Sequence, residues 1–245
     1  MPRQPGNIPT TIEAAMKKIG IIGGLGPEST IDYYKRITSF FHHYNQSLST
    51  PEIIIYSVDL AEVFQLVEAQ RWELLTALLV DRLASLRDAG ADFAAISANT
   101  PHIVFDQVQA RSPLPLISIV EVTLAAAQRL GVGRIGLLGT RLTMQANFYG
   151  ERFAREGITV VVPEEPDQLF IEEKLLTEIE LGIMREETRT ALGDVIRRMQ
   201  ERHGIEAAIL GCTELPLILD DKDANVPLLN TTALHVEEIC RQCLE

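Results

Sequence analysis

Residues 94–100 (Ala-Ala-Ile-Ser-Ala-Asn-Thr) are mirrored at 207–213 (Ala-Ala-Ile-Leu-Gly-Cys-Thr), with four of seven residues identical, and this recurrence constrains the fold more than any other feature. Two shorter matches keep the order and nearly the spacing: Ile19–Gly23 recurs at Ile135–Gly139, and Pro115–Ile117 at Pro227–Leu229. A period of about 113 residues is far too long for a solenoid unit, so it predicts two similar domains. Each long match is an apolar run that ends in a turn, which reads as a buried parallel strand delivering that turn to a sheet edge. Two such turns facing each other can present chemistry to both sides of one small ligand. The second turn, Gly211-Cys212-Thr213-Glu214-Leu215-Pro216, carries the only thiol away from the C-terminus.

The 245 residues allow two small domains, each with its own core. A net charge of −12 leaves no basic stripe for nucleic acid or an anionic membrane. No apolar run reaches the roughly 18 residues of a membrane span, and the N-terminus lacks the apolar stretch of a signal peptide. A cytoplasmic location is therefore expected. Three cysteines do not make a disulfide framework, and Cys240 with Cys243 reads as two thiols on one helix face rather than half a metal site. No metal and no cofactor is expected.

Residues 1–16 show no core pattern and read as a flexible leader, with Met16 as a second candidate start. Strand Ile19–Ile22 then runs into Gly23-Gly24-Leu25-Gly26-Pro27-Glu28-Ser29-Thr30, a strand–loop–helix junction whose exposed amides can hold an anion; Gly24 is the expected contact. The loop lacks the lysine of a phosphate-binding P-loop and the full spacing of a dinucleotide fingerprint. Helix 28–43 leads to strand 52–57 and Asp59, which reads equally as a ligand contact at the strand's C-terminal end or as a helix cap. Helix 61–89, strand 91–96, the Ser97–His102 turn, strand 115–119 and helix 121–130 complete the first half. In the second half, strand 135–139 ends at Thr140, whose hydroxyl and amide suit a carboxylate. Helices 143–156, 168–181 and 186–202 alternate with strands 158–162 and 205–210; Lys174, beside Glu172 and Glu173, reads most simply as part of a solvated helix face. Alternating strands and helices predict an α/β protein with parallel sheets. The expected division is 17–117 plus about 229–245 for the first domain and 118–228 for the second, with the active site in the cleft between them.

The Gly23–Thr30 loop, Asn99-Thr100-Pro101-His102 and Gly211–Pro216, taken together, resemble the aspartate/glutamate racemase family from about residue 17 onward. The resemblance implies two similar α/β domains, a homodimer, and cofactor-independent inversion of an amino acid's α-carbon. Most members place one cysteine directly before the first Asn-Thr and a second in the Gly-Cys-Thr turn, one thiol per face of the substrate. Here Ala98 stands where the first is usual, and an alanine methyl has no proton to exchange. Cys212 keeps the second position. A turn running into a helix N-terminus is expected to lower its pKa, and Glu214 to accept its proton or hold the thiol. The resemblance places Asn99, Thr100, Thr140 and Thr213 around the substrate's α-carboxylate, where donors stabilise the charge built up on deprotonation. It assigns Lys174 to a side-chain carboxylate, whereas Leu60 occupies the position where some aspartate-specific members carry arginine.

Three readings follow. The first is a racemase or epimerase of aspartate, glutamate or a related small amino acid, with Cys212 as the thiol and Thr100, Ser97 or a water supplying the other face. The second is a single-thiol decarboxylase or isomerase of a small diacid. The third is a non-catalytic amino-acid-binding relative, or a protein whose first cysteine was replaced. Proton exchange at the α-carbon, product formation without exchange, and binding without turnover separate them.

Overall fold

The computed structural model describes residues 16–245, so the expected leader lies outside the described residues apart from Met16. The first half runs β1 (Ile19–Gly23), α1 (Pro27–Asn45), β2 (Ile53–Ser57), α2 (Leu60–Glu68), α3 (Trp72–Asp88), β3 (Phe93–Ile96), a 3-10 turn (Thr100–Val104), α4 (Phe105–Arg111), β4 (Leu116–Ile117) and α5 (Ile119–Leu130). The second runs β5 (Arg134–Leu138), α6 (Arg141–Gln145), α7 (Phe148–Ala154), β6 (Thr159–Val161), α8 (Glu165–Thr177), a 3-10 turn (Ile179–Leu181), α9 (Glu186–His203), β7 (Ala207–Leu210), α10 (Leu215–Ile218), β8 (Leu228–Asn230) and α11 (Thr231–Leu244).

Two four-stranded sheets result, in the orders β2-β1-β3-β4 and β6-β5-β7-β8, with every pairing parallel. The shared order confirms the α/β duplication. Strands β1, β3, β5 and β7 are buried along nearly their whole length, which is why they read as unbroken apolar runs rather than as alternating ones. Helices cover both faces of each sheet. Leu75, Leu79 and Leu83 of α3 pack on one face of the first sheet, while Tyr33, Ile37 and Phe41 of α1 pack on the other. The second sheet is clasped by α5 and α7 on one side and by α8 and α9 on the other.

The two halves are tied by α11. It follows β8 of the second sheet, yet buries Val236, Ile239, Cys240 and Cys243 against Ile19, Ile21 and α1 of the first. Its His235 accepts from the Tyr33 hydroxyl at 2.8 Å and donates to the Ile117 carbonyl at 3.0 Å, which settles its tautomer. Burial holds this imidazole's pKa down to about 4, so it ties the halves as a neutral group. Both C-terminal thiols are buried in the same contact, with Cys243 Sγ donating to the Lys17 carbonyl.

Two expected helices are each broken in two. The 61–89 stretch divides at Ala69–Arg71, where Gln70 takes a left-handed conformation (φ 51°), and 143–156 divides at Asn147 (φ 60°). Neither break carries glycine or proline, so neither interrupts the apolar pattern. The stretch expected as helix 168–181 starts earlier, at Glu165, and tightens after Thr177 into the 3-10 turn that holds Glu180. Among the described residues no helix is long and apolar enough to cross a membrane.

Candidate active site between the two sheets

In each sheet the strand order reverses between its two central strands, the place where parallel sheets open a crevice beyond their C-terminal ends. The loops after β1, β3, β5 and β7 meet there. They border a cavity of about 550 Å³, lined from the first half by Ala98, Asn99 and Thr100 and from the second by Thr140, Cys212 and Glu214.

Strand register decides which residues of the two halves correspond. Gly20 pairs with Ala94 in one sheet and Gly136 with Ala208 in the other, so Ile96 matches Leu210. The turns begin alike: Ser97 N–H donates to the Ile22 carbonyl and Gly211 N–H to the Leu138 carbonyl. Ala98 is therefore the counterpart of Cys212, and Thr100 of Glu214. The seven-residue sequence match is out by one, since it would set Asn99 against Cys212.

Cys212 and Glu214 form the core of the site. Cys212 Sγ donates to Glu214 Oε2 at 3.0 Å, and Thr213 Oγ1 donates to the same oxygen at 2.9 Å. Oε1 lies buried against Gly26, without a hydrogen-bond partner among the described residues. A Cβ on Gly26 would stand 2.1 Å from Oε1, and its φ of 132° is open to glycine alone, so the Gly23–Thr30 loop serves as a close-fitting wall for Glu214. Glu180 completes a triad: its carboxylate, the Glu214 carboxylate and Cys212 Sγ lie within 4.8 Å of one another. Burial, then the charges of Glu214 and Glu172, raises Glu180 to about 7.

The expectation that the turn lowers the Cys212 pKa is overturned. Burial first, then the Glu214 carboxylate, pushes it well above the ordinary thiol range. The following helix, α10, has only four residues, too few for an appreciable dipole, and Glu214 is itself raised by burial. The thiol therefore favours its protonated form, and burial makes the neighbouring carboxylate a better proton acceptor than an exposed one.

The remaining expected residues fall into three groups. Thr100, Thr140 and Thr213 border the cavity, and the hydroxyls of Thr100, Thr140 and Thr143 form a triangle with sides of 2.9–3.2 Å across the two halves. Asn99 borders it too, but its side-chain amide is engaged elsewhere: Nδ2 donates to Thr231 Oγ1 and Oδ1 accepts from the Tyr149 hydroxyl, both from the second half. Gly24, Asp59 and Lys174 are not among the lining residues. Gly24 is pressed against Val58 at the exit of β2. Asp59 is exposed and caps α2 through the Ala61 amide, the second of its two expected readings. Lys174 bonds Glu173 and Glu178, and Glu178 is in turn held by Thr188, on a different face of α8 from the cavity. Ser97 is fully buried, with its hydroxyl on the Ile22 carbonyl, and His102 holds the Ala98 carbonyl through Nδ1, so it positions the turn.

Sequence reasoning missed Glu172, Glu180 and Arg141, and the apolar wall formed by Leu60, Val63, Phe64 and Val67 of α2. One signal was present: Glu172, Leu176 and Glu180 recur every four residues, a helical stripe that excludes Lys174.

The sequence matches the Asp/Glu/Hydantoin racemase family over residues 22–239. The chain belongs to that family. A solved aspartate racemase homologue from Pyrococcus horikoshii is 36% identical and superposes with a TM-score of 0.82, covering 94% of this chain and 100% of its own. A Yersinia pestis chain provisionally named an Asp/Glu racemase is 37% identical, with a TM-score of 0.85 and coverage of 94% and 100%. The broad specificity amino-acid racemase RacX of Bacillus subtilis is 23% identical over 218 residues, 88% of this chain and 93% of that one. Membership of the racemase family accounts for the paired parallel sheets.

Proposed function

We propose that the chain is a pyridoxal-independent amino-acid racemase or epimerase in which Cys212 exchanges a proton with the substrate's α-carbon. The observation that carries this reading is the 3.0 Å hydrogen bond from Cys212 Sγ to Glu214 Oε2 at the cavity wall. Family membership and relatives named as racemases support it. In the resting site the thiol holds its proton and can deliver it to a carbanion. To act as base it first passes that proton to Glu214: the S–H bond breaks, an O–H bond forms on Oε2, and the thiolate takes the α-hydrogen. Glu180 lies close enough to relay the proton onward. Thr100 and Thr140 offer hydroxyls and Thr213 its main-chain amide to the α-carboxylate, where negative charge accumulates as the α-carbon loses its proton.

On the other face Ala98 offers a methyl group, so the second proton comes from the Thr100 hydroxyl or from a water. A single thiol also suits a decarboxylase or isomerase of a diacid, but a cavity bordered by four carboxylates disfavours a doubly negative substrate. The proposal includes a cytoplasmic homodimer, supported by the family resemblance and by the exposed apolar residues Leu181, Ile183 and Met184; a monomeric mass by light scattering removes the dimer.

Proton NMR of amino acids in D₂O tests the chemistry. The wild type is expected to exchange the α-hydrogen, and Cys212→Ser to lose at least about 100-fold of that rate, the usual size of a positioned proton-transfer group. Unchanged exchange in the variant removes Cys212 from the mechanism.

A further inference from the structure

We infer that the cavity selects amino acids whose side chain is an aliphatic stem ending in a positive charge and rejects acidic side chains, a specificity that rests on the racemase reading of the same site. Three observations converge. The first is charge. Glu68, Glu172, Glu180 and Glu214 border the cavity, with Arg141 as the one cation lining it among the described residues. Arg141 is turned to Glu165, outside the lining, at 3.8 Å, and its main-chain N–H is held by Glu172 at 2.6 Å. Lys174, the group expected to meet an acidic side chain, is spent on Glu173 and Glu178. One carboxylate serves the substrate's α-ammonium, and the others still face a ligand without a basic partner.

The second observation is shape and polarity. Leu60, Val63, Phe64 and Val67 of α2 join Leu142 and Leu176 in an apolar wall, the surface that a run of methylenes covers. At about 550 Å³ the cavity lies well inside the usual range for small-molecule sites and leaves room for a stem longer than aspartate's. Glu68 stands at the C-terminal end of α2, one residue beyond Val67, so the apolar wall leads directly to a carboxylate. The third observation is strain in the charge balance. Among the described residues Glu214 Oε1 is buried without a hydrogen-bond partner, and burial with its acidic neighbours raises Glu180 to about 7. A cationic tip relieves both; an anionic one aggravates both. The net charge of −12 further favours the approach of cations over anions.

The test compares three ligands of similar length, L-lysine, L-norleucine and L-glutamate, by titration calorimetry with the full chain, with α-hydrogen exchange in D₂O measured in parallel. A hydrogen-bonded charge contributes on the order of tenfold or more, so lysine is expected to bind at least ~10-fold tighter than norleucine, and glutamate weaker than norleucine. Glu172→Gln should narrow the lysine-to-norleucine gap several-fold; Glu68→Gln, at an exposed site, makes the same test should the first variant fold poorly. Glutamate binding as well as lysine, norleucine matching lysine, or no lysine binding at millimolar concentration each overturns the specificity. Tight lysine binding with no α-hydrogen exchange leaves the specificity standing and refutes the racemase reading instead.

Discussion

Removing the Glu180 carboxylate should make the protein more stable at high pH and scarcely change it at low pH. In the folded state this group titrates at about 7, against an ordinary 4.5, because it is partly buried and faces the carboxylates of Glu214 and Glu172. Between those two pH values the folded chain holds a proton that the unfolded chain has released, so ionising Glu180 opposes folding. Stability contributed by the protonated form is fully present below about 4.5 and is lost as pH rises through 7. The full shift corresponds to about 3 kcal/mol, and solvent screening of this part-exposed group reduces it to about 1–2 kcal/mol. Glu180→Gln keeps the shape and cannot ionise. Urea unfolding at pH 5, 7 and 8.5 should show variant and wild type nearly equal at the lowest pH and the variant ahead by that amount at the highest. The same substitution should shift alkylation of Cys212 by iodoacetamide to lower pH, since the Glu180 charge is one of the causes holding the thiol pKa up. A stability gap that is constant across pH would refute the placement of Glu180 against Glu214.

Ala98→Cys should raise racemisation by on the order of 10²–10⁴-fold if the missing thiol limits the wild type, and L-to-D and D-to-L values of kcat/KM must rise together because the equilibrium constant is one; a folded variant that binds amino acid but gains in neither direction shows that the two turns do not face one substrate. Lys174→Ala should leave the ratio of lysine to glutamate binding unchanged, and a selective loss of glutamate would return Lys174 to the cavity. In the Glu180→Gln background, burial of His102 and His235 as neutral imidazoles, at about 3 and about 4, should cost stability as pH falls below 6.5. Chemical unfolding between pH 6 and 5 should lose about 2 kcal/mol per pH unit, and a flat profile would mean that the two rings are not held neutral.

The fold was legible because a duplicated strand pattern repeats the same physical demand. Ile19–Gly23 and Ile135–Gly139 are apolar and end in glycine because each lies at the centre of a parallel sheet, where both faces are covered. The position of Cys212, Thr140 and Thr100 at the cavity border was legible for a related reason, since a turn after such a strand has one exit, toward the cleft. Lys174 and Asp59 each kept two readings in the sequence because their side chains can satisfy themselves locally, as they do here, Lys174 with Glu178 four residues on and Asp59 with the Ala61 amide. Sequence spacing alone does not tell a local partner from a ligand. Glu180 was hidden by a change of helix type, because its place depends on α8 tightening after Thr177 into a 3-10 turn. The sign of the Cys212 shift was wrong for want of burial: a short helix offers little dipole, and desolvation beside a carboxylate outweighs it.

The register of the two sheets shows how a symmetric scaffold carries unsymmetric chemistry. Ala98-Asn99-Thr100 and Cys212-Thr213-Glu214 hang from equivalent strands at equivalent positions, yet the second turn has a thiol and its proton acceptor where the first has a methyl and a hydroxyl. The loops that support them are likewise unequal. Gly26 leaves space for the Glu214 carboxylate, whereas Thr100 is drawn across the cleft to Thr140 and Thr143 and joins the halves instead of serving a thiol. A cysteine restored at 98 would therefore stand beside a hydroxyl rather than a carboxylate, and Cys212 would remain the stronger proton acceptor because it alone has Glu214 to take its proton. The difference between the two faces thus lies in the residue two positions beyond each turn's central site as much as in the missing sulfur.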